Sequence, residues 1–208
     1  MRALIVATLA TLLGSTANAA TYQVDNRQSV LVARTYKAGI ASGAGHEHAI
    51  RATQVQGTVE FVPGRPQGDK VEITVQTATL SADDPTGRQF ARLPPNGPSE
   101  SQRAAITKGM LGKGQLNAAQ FPTITFRSTR AGETSPGNIL VDGELTLHGV
   151  TRPFRVNMRV RSSGARLIAD GQFDIKQTDF GIKPYGTFMG AVKNQDRITL
   201  ILHVVATR

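Results

Sequence analysis

Ile139-Leu140-Val141-Asp142-Gly143-Glu144-Leu145-Thr146-Leu147 and Phe154-Arg155-Val156-Asn157-Met158-Arg159-Val160-Arg161 carry apolar side chains at every second position, broken only by Gly143. Successive strand side chains point to opposite faces, so each run has one greasy face and one wet face. The pattern continues in both directions. Downstream it runs Leu167, Ala169, Gly171, Phe173, Ile175, and finally Ile198, Leu200, Leu202, Val204; just upstream stand Ile124 and Phe126. Earlier still, Val55, Val59 and Phe61 alternate with polar residues, a turn of Gly and Pro follows over 63–68, and Val71, Ile73 and Val75 alternate again. Val30 and Val32 open a further run toward Ala38. Eight or so antiparallel strands of this kind must cover their apolar face by sandwiching or by closing into a barrel. The expected fold class is all-β, in one domain with no linker and no internal repeat.

The middle of the chain breaks the pattern. From Ser81 to Pro98 the Asp83-Asp84-Pro85 and Pro94-Pro95-Asn96-Gly97-Pro98 clusters disfavour regular structure. Ser99 with Gln102 then forms a capping box ahead of Ala104, Ala105, Ile106, Met110 and Leu111, which predicts one short helix over about 99–111 that plugs a barrel end or covers a sheet edge. Between Phe180 and Asp196, Gly181, Pro184, Tyr185, Gly186, Phe188, Met189 and Gly190 read as a long loop, a candidate rim or lid.

Arg2, the apolar run Ala3–Leu13 and Ala17-Asn18-Ala19 read as a secretory signal peptide over residues 1–19, too short for a spanning helix. The mature chain then runs over 20–208, exported and periplasmic. It has no cysteine, which excludes thiol nucleophiles, Cys-ligated zinc and haem attached through cysteine. The formal charge of +9 falls to +8 once Arg2 is removed (9 − 1), which suits contact with an anionic membrane surface. No Lys/Arg run with interleaved aromatics is present, so no nucleic-acid partner is expected.

Three segments point to a family: Phe121-Pro122-Thr123-Ile124-Thr125-Phe126-Arg127-Ser128, Leu145-Thr146-Leu147-His148-Gly149-Val150-Thr151-Arg152-Pro153 and Asp179-Phe180-Gly181-Ile182. In this order after a short helix, they resemble the YceI-like family of exported proteins, from Thr21-Tyr22-Gln23-Val24-Asp25 onward. Gly45-His46-Glu47-His48-Ala49-Ile50 resembles a subgroup with a GHxH element. The resemblance implies a lipocalin-like, antiparallel eight-stranded barrel with one short helix around an elongated apolar pocket. It further implies a non-enzymatic carrier of isoprenoid or other long-chain amphiphiles that requires no cofactor. The oligomeric state, a homodimer included, stays open.

If the alternation holds, Val59, Phe61, Ile73, Val75, Ile124, Phe126, Val141, Leu145, Phe154, Val156, Met158, Phe173, Leu200 and Leu202 face inward as ligand-binding residues, with Tyr36, Tyr185 and Thr187 as polar groups at the rim. Filled and hollow interiors share this periodicity. His46 and His48, two apart on one strand face, are candidate metal ligands, and they support an alternative metal- or haem-associated redox or stress protein. A third ligand does not nominate itself. His148 is expected to stabilise a turn, His203 to face outward, and Asp83-Asp84 to form a turn. No Ser/His/Asp spacing or Gly-x-Ser-x-Gly elbow nominates a catalytic residue.

Overall fold

The computed structural model describes residues 19–62 and 66–208. The signal-peptide reading therefore lies, Ala19 apart, outside the described residues. Twelve antiparallel strands follow one another: β1 (Ala20–Val24), β2 (Val30–Ala38), β3 (Ala49–Ala52), β4 (Val55–Phe61), β5 (Lys70–Gln76), β6 (Leu80–Ala82), β7 (Thr123–Ser135), β8 (Asn138–Leu147), β9 (Val150–Ser163), β10 (Arg166–Lys176), β11 (Gly186–Thr187) and β12 (Val192–Thr207). Helices α1 (Pro85–Phe90) and α2 (Glu100–Leu111) lie between β6 and β7.

Three pairs of short strands act as three long bent ones. Along β12, β1 pairs at Ala206 and Thr207 while β2 pairs from His203 back to Lys193. Likewise β4 and β3 line up on β1 and β2, and β5 and β6 on β4 and β3. With β7, β8, β9, β10 and β12 these make eight staves, and the β1–β12 pairing closes the barrel.

One seam is incomplete. β5 pairs with β7 only from Glu72↔Arg127 to Gln76↔Thr123, and β6 pairs with β3 alone. Thr77 makes the last links across the seam: its N–H donates to the Pro122 carbonyl (2.8 Å) and its hydroxyl to the Phe121 carbonyl (2.7 Å). Beyond Thr77 the strands part, and the chain over 83–122 occupies that end of the barrel, called here the helix end. Ser99 caps α2 in a complete capping box with Gln102, as its sequence requires. The Ala82 N–H donates to Thr107 of α2 (3.0 Å), tying the helix to β6.

Two expectations need correction. The 81–98 stretch is not wholly irregular, because Asp84 accepts the Gly87 N–H as an N-cap and Pro85 opens a helical turn, α1. The 180–196 loop is also shorter than its composition suggests. β12 starts at Val192 and carries an irregularity between Asn194 and Ile198, while β11 pairs back on it. Two inward glycines make space for neighbours: a Cβ on Gly143 would meet the Phe126 ring at 2.6 Å, and one on Gly171 the Met158 sulfur at 2.3 Å.

Candidate functional site: a cavity inside the barrel

The inward side chains do not fill the barrel. They surround a cavity of about 610 Å³. Protein interiors pack closely enough that voids larger than a water molecule are few, so this is a built space. Its size falls within the ~300–1,000 Å³ usual for small-molecule sites. All fifteen residues read from the sequence as ligand-facing line it: Val59, Phe61, Ile73, Val75, Ile124, Phe126, Val141, Leu145, Phe154, Val156, Met158, Phe173, Tyr185, Leu200 and Leu202. Phe154 and Phe173 meet edge-on at 4.7 Å between ring centres.

The two ends of the cavity differ. Where β1 begins and β12 finishes, Tyr22, Val59, Leu167 and Ala206 pack into a buried cluster backed by Phe61 and Val71. The Tyr22 hydroxyl donates to the Gly164 carbonyl (3.3 Å) and its ring meets Phe61 edge-on. At the helix end, Ala105, Ile106, Gly109 and Met110 of α2 line the cavity, and Ala105 and Gly109 are themselves exposed. A Cβ on Gly109 would meet nothing within 4 Å. The helix thus overhangs the mouth with small residues and leaves it open.

Polar lining groups collect at that mouth: Thr35, His48, Gln115, Gln177, Tyr185 and Asn194. His48 is the most elaborate. Its Nδ1 lies 2.5 Å from a carboxylate oxygen of Asp83, which is 1 % exposed and also accepts from the Ala49 N–H (3.1 Å) and the Arg88 guanidinium (2.8 Å). Burial pushes the Asp83 carboxyl up, but the bonds from His48, Ala49 and Arg88 outweigh it and hold its pKa below the ordinary value. An ionised carboxylate can only accept, so Nδ1–H is the donor and Nε2 has no partner among the described residues. Nε2 is a hydrogen-bonding group available at the cavity mouth. Arg88 in turn donates twice to the Pro94 carbonyl, locking α1 to the chain that follows it.

At the opposite end Asp69 lines the cavity. Its carboxylate accepts the Val62 N–H (2.8 Å), and burial pushes its pKa up to about 6.

Several sequence expectations are revised. His46 and His48 do not share a strand face: residues 45–48 are irregular, His46 is exposed, and His48 is committed to Asp83. Among the described residues no three His, Cys, Asp or Glu side chains gather to hold a metal ion. Asp83 is a buried hub rather than a turn residue, and Asp84 joins Arg51 (2.8 Å) besides capping α1. Tyr36 is not at the rim. It points outward from β2, bonds Thr199 (2.8 Å) and lies between the Arg34 and Arg197 guanidiniums, because Leu31, Ala33 and Thr35 take the inward positions. Thr187 sits in β11 beside the mouth and does not line the cavity. His148 bonds the Phe180 carbonyl (3.2 Å) from the β8–β9 turn, and His203 bonds Asp170 (2.6 Å) on the outer face. Of the polar mouth only Tyr185 is signalled in the sequence, and α2 is signalled by its capping box and apolar residues; the inward register of Leu31 and Ala33 has no signal, since apolar residues stand on both faces of β2.

Comparison with known proteins agrees with this architecture. The model of the YceI-like domain matches residues 22–206. A UPF0312 protein of Shewanella baltica (strain OS185) is 29% identical over 174 residues, covering 80% of this chain and 79% of the relative. Among solved structures, Burkholderia cenocepacia BcnA is similar with a TM-score of 0.67 at 20% identity, covering 88% of this chain and 99% of BcnA. The Campylobacter jejuni YceI protein is similar with a TM-score of 0.56 at 14% identity, covering 76% and 84% of the two chains.

Proposed function

Because this chain belongs to the YceI-like family and its barrel is hollow, we propose that it is a non-enzymatic carrier of a long-chain apolar or isoprenoid-type molecule. The observation that carries the reading is the 610 Å³ cavity, lined almost throughout by Val, Leu, Ile, Phe and Met and open at one end. Hydrocarbon transferred into such a space gains ~25 cal/mol per Å² of apolar surface removed from water, before the cost of ordering the chain. The tail enters past α2 toward Tyr22, and the polar end stays at the mouth beside His48, Thr35 and Asn194. The signal-like N-terminus supports a periplasmic setting, where a carrier shields such a tail from water.

Solvent extraction of protein purified from its native compartment is expected to release a long-chain species detectable by mass spectrometry. Ala33→Phe with Ala169→Phe places two rings in the lumen and is expected to weaken binding of a fluorescent fatty acid by at least about tenfold, with the far-UV spectrum unchanged. Unaltered binding in that variant, or an extract without any long-chain component, would sink the proposal.

A further inference from the structure

The helix end has a second property, independent of the cavity's interior. Six of the chain's seven lysines lie there: Lys37 at the end of β2, Lys108 on α2, Lys113 just after it, Lys176 at the end of β10, Lys183 beyond Ile182, and Lys193 at the start of β12. All six are exposed, and none joins an ion pair among the described residues. The seventh, Lys70, is at the opposite end and pairs with Glu60 (3.1 Å). Most acidic groups at the helix end are already engaged: Glu47 by Arg34, Asp83 by His48 and Arg88, Asp84 by Arg51 and Asp196 by Thr178, while Glu100 and Asp179 are exposed.

The exposed large apolar side chains are placed the same way. Ile40, Tyr185 and Met189 are the large hydrophobic residues left exposed among those described, and all three belong to two loops that touch. The Ala41 N–H donates to the Ala191 carbonyl (2.9 Å), and Lys193 pairs with Ala38. Ile40 is 98 % exposed and Met189 wholly so. Met189 also holds a left-handed backbone (φ 53°), a conformation unfavourable for a side chain that gains no contact with the protein from it. Tyr185 belongs to both the loops and the cavity lining, so this tip borders the mouth. Exposed apolar residues at the same end as lysines outside any ion pair match the inner and outer layers of an anionic bilayer surface.

We propose that the helix end docks on anionic lipid membranes, with Ile40 and Met189 entering the acyl boundary, Tyr185 at headgroup level and the lysines on the phosphates. The cavity mouth then faces the bilayer that holds its cargo, which is where the inference rests on the carrier reading. Two inserted side chains give weak, reversible attachment, as a shuttling carrier requires.

The test is sedimentation of the full mature protein with phosphatidylcholine vesicles, with and without phosphatidylglycerol. Association is expected with the anionic vesicles and is expected to fall with salt. Lys37→Gln with Lys183→Gln and Lys193→Gln should weaken it by about a hundredfold, at roughly fivefold for each lysine. Lys70→Gln should leave it unchanged. Since the chain has no tryptophan, Met189→Trp supplies a single reporter whose emission should shift to the blue on anionic vesicles. Absence of vesicle association, an unmoved emission, or association indifferent to the three lysines would overturn the docking surface, as would capture of a protein through Ile40 and Met189 without any vesicle binding. Fluorescent fatty acid binding by the same variants separates the two ideas. Normal binding without docking refutes the surface alone, while docking by a protein that binds no fatty acid refutes the carrier.

Discussion

The two ends of the barrel are built from the same strands and finished in opposite ways. At the β1 end Tyr22 lies inside the barrel, its hydroxyl satisfied by Gly164, and Leu167 and Ala206 close around it. At the other end β6 parts from β7, and a helix with Ala105 and Gly109 toward the lumen hangs over the gap. The lysines follow the same division. On the strands Arg155 pairs with Asp142 and Arg161 with Asp170 across the ladder, whereas the six lysines around the mouth join no ion pair among the described residues. Cross-strand pairing of this kind makes a surface content with water. Unpaired charge beside exposed Ile40 and Met189 makes one that is not.

The sharpest way to break the contrast is Asp83→Ala. Asp83 joins His48 before β3 to Arg88 on α1, and its removal strands a buried guanidinium. A loss of about 3–5 kcal/mol is expected in chemical denaturation. Hydrogen exchange should show the helix end opening while the strands near Tyr22 stay protected. The wild-type protein gives the matching pH dependence. Asp83 has a lowered pKa, so its contribution is present above the ordinary value of 3.8 and is lost as pH falls through the still lower folded value.

The closed end carries the opposite linkage, and Asp69→Asn tests it. A carboxyl raised from 3.8 to about 6 favours the fold while protonated, and that contribution drains away as pH rises between those values. The asparagine variant should be more stable than wild type by roughly 1–3 kcal/mol at pH 8, with the difference vanishing at the acid end of that range. Equal stabilities at both pH values would show that Asp69 is not held in an apolar setting. The smallest effect is expected from Ser99→Ala, which removes half the capping box of α2. A cost of about 0.5–1 kcal/mol should be confined to the helix, with faster amide exchange at the first turn and little change in the midpoint of global unfolding.

These contrasts were unequally visible in the residues. From Phe121 onward each strand meets cavity on one face and water on the other, so strict alternation reports the fold directly. β2 escapes that logic because Val32 packs outward under Ala91 and Leu93 while Leu31 and Ala33 face inward, leaving no polar side to set the register. α1 is too short to show a helical period and contains both Pro85 and Gly87. The His48–Asp83 bond joins residues 35 apart, across a turn and two strands, and only folding brings them together. The alternation alone does not tell whether the interior is hollow, since the same side chains line a pocket or fill a core. The volume depends on how far apart the staves stand.

The closure of the barrel also sets an order in time. The first strand is completed only by the last: Val24 pairs with Ala206, and Ser29 exchanges hydrogen bonds with Val205 from 176 residues away. A chain still being made has no enclosed lumen until its final strand arrives. Non-local closure of this kind is slow. Whatever the lumen holds therefore has to enter a barrel already closed by β12.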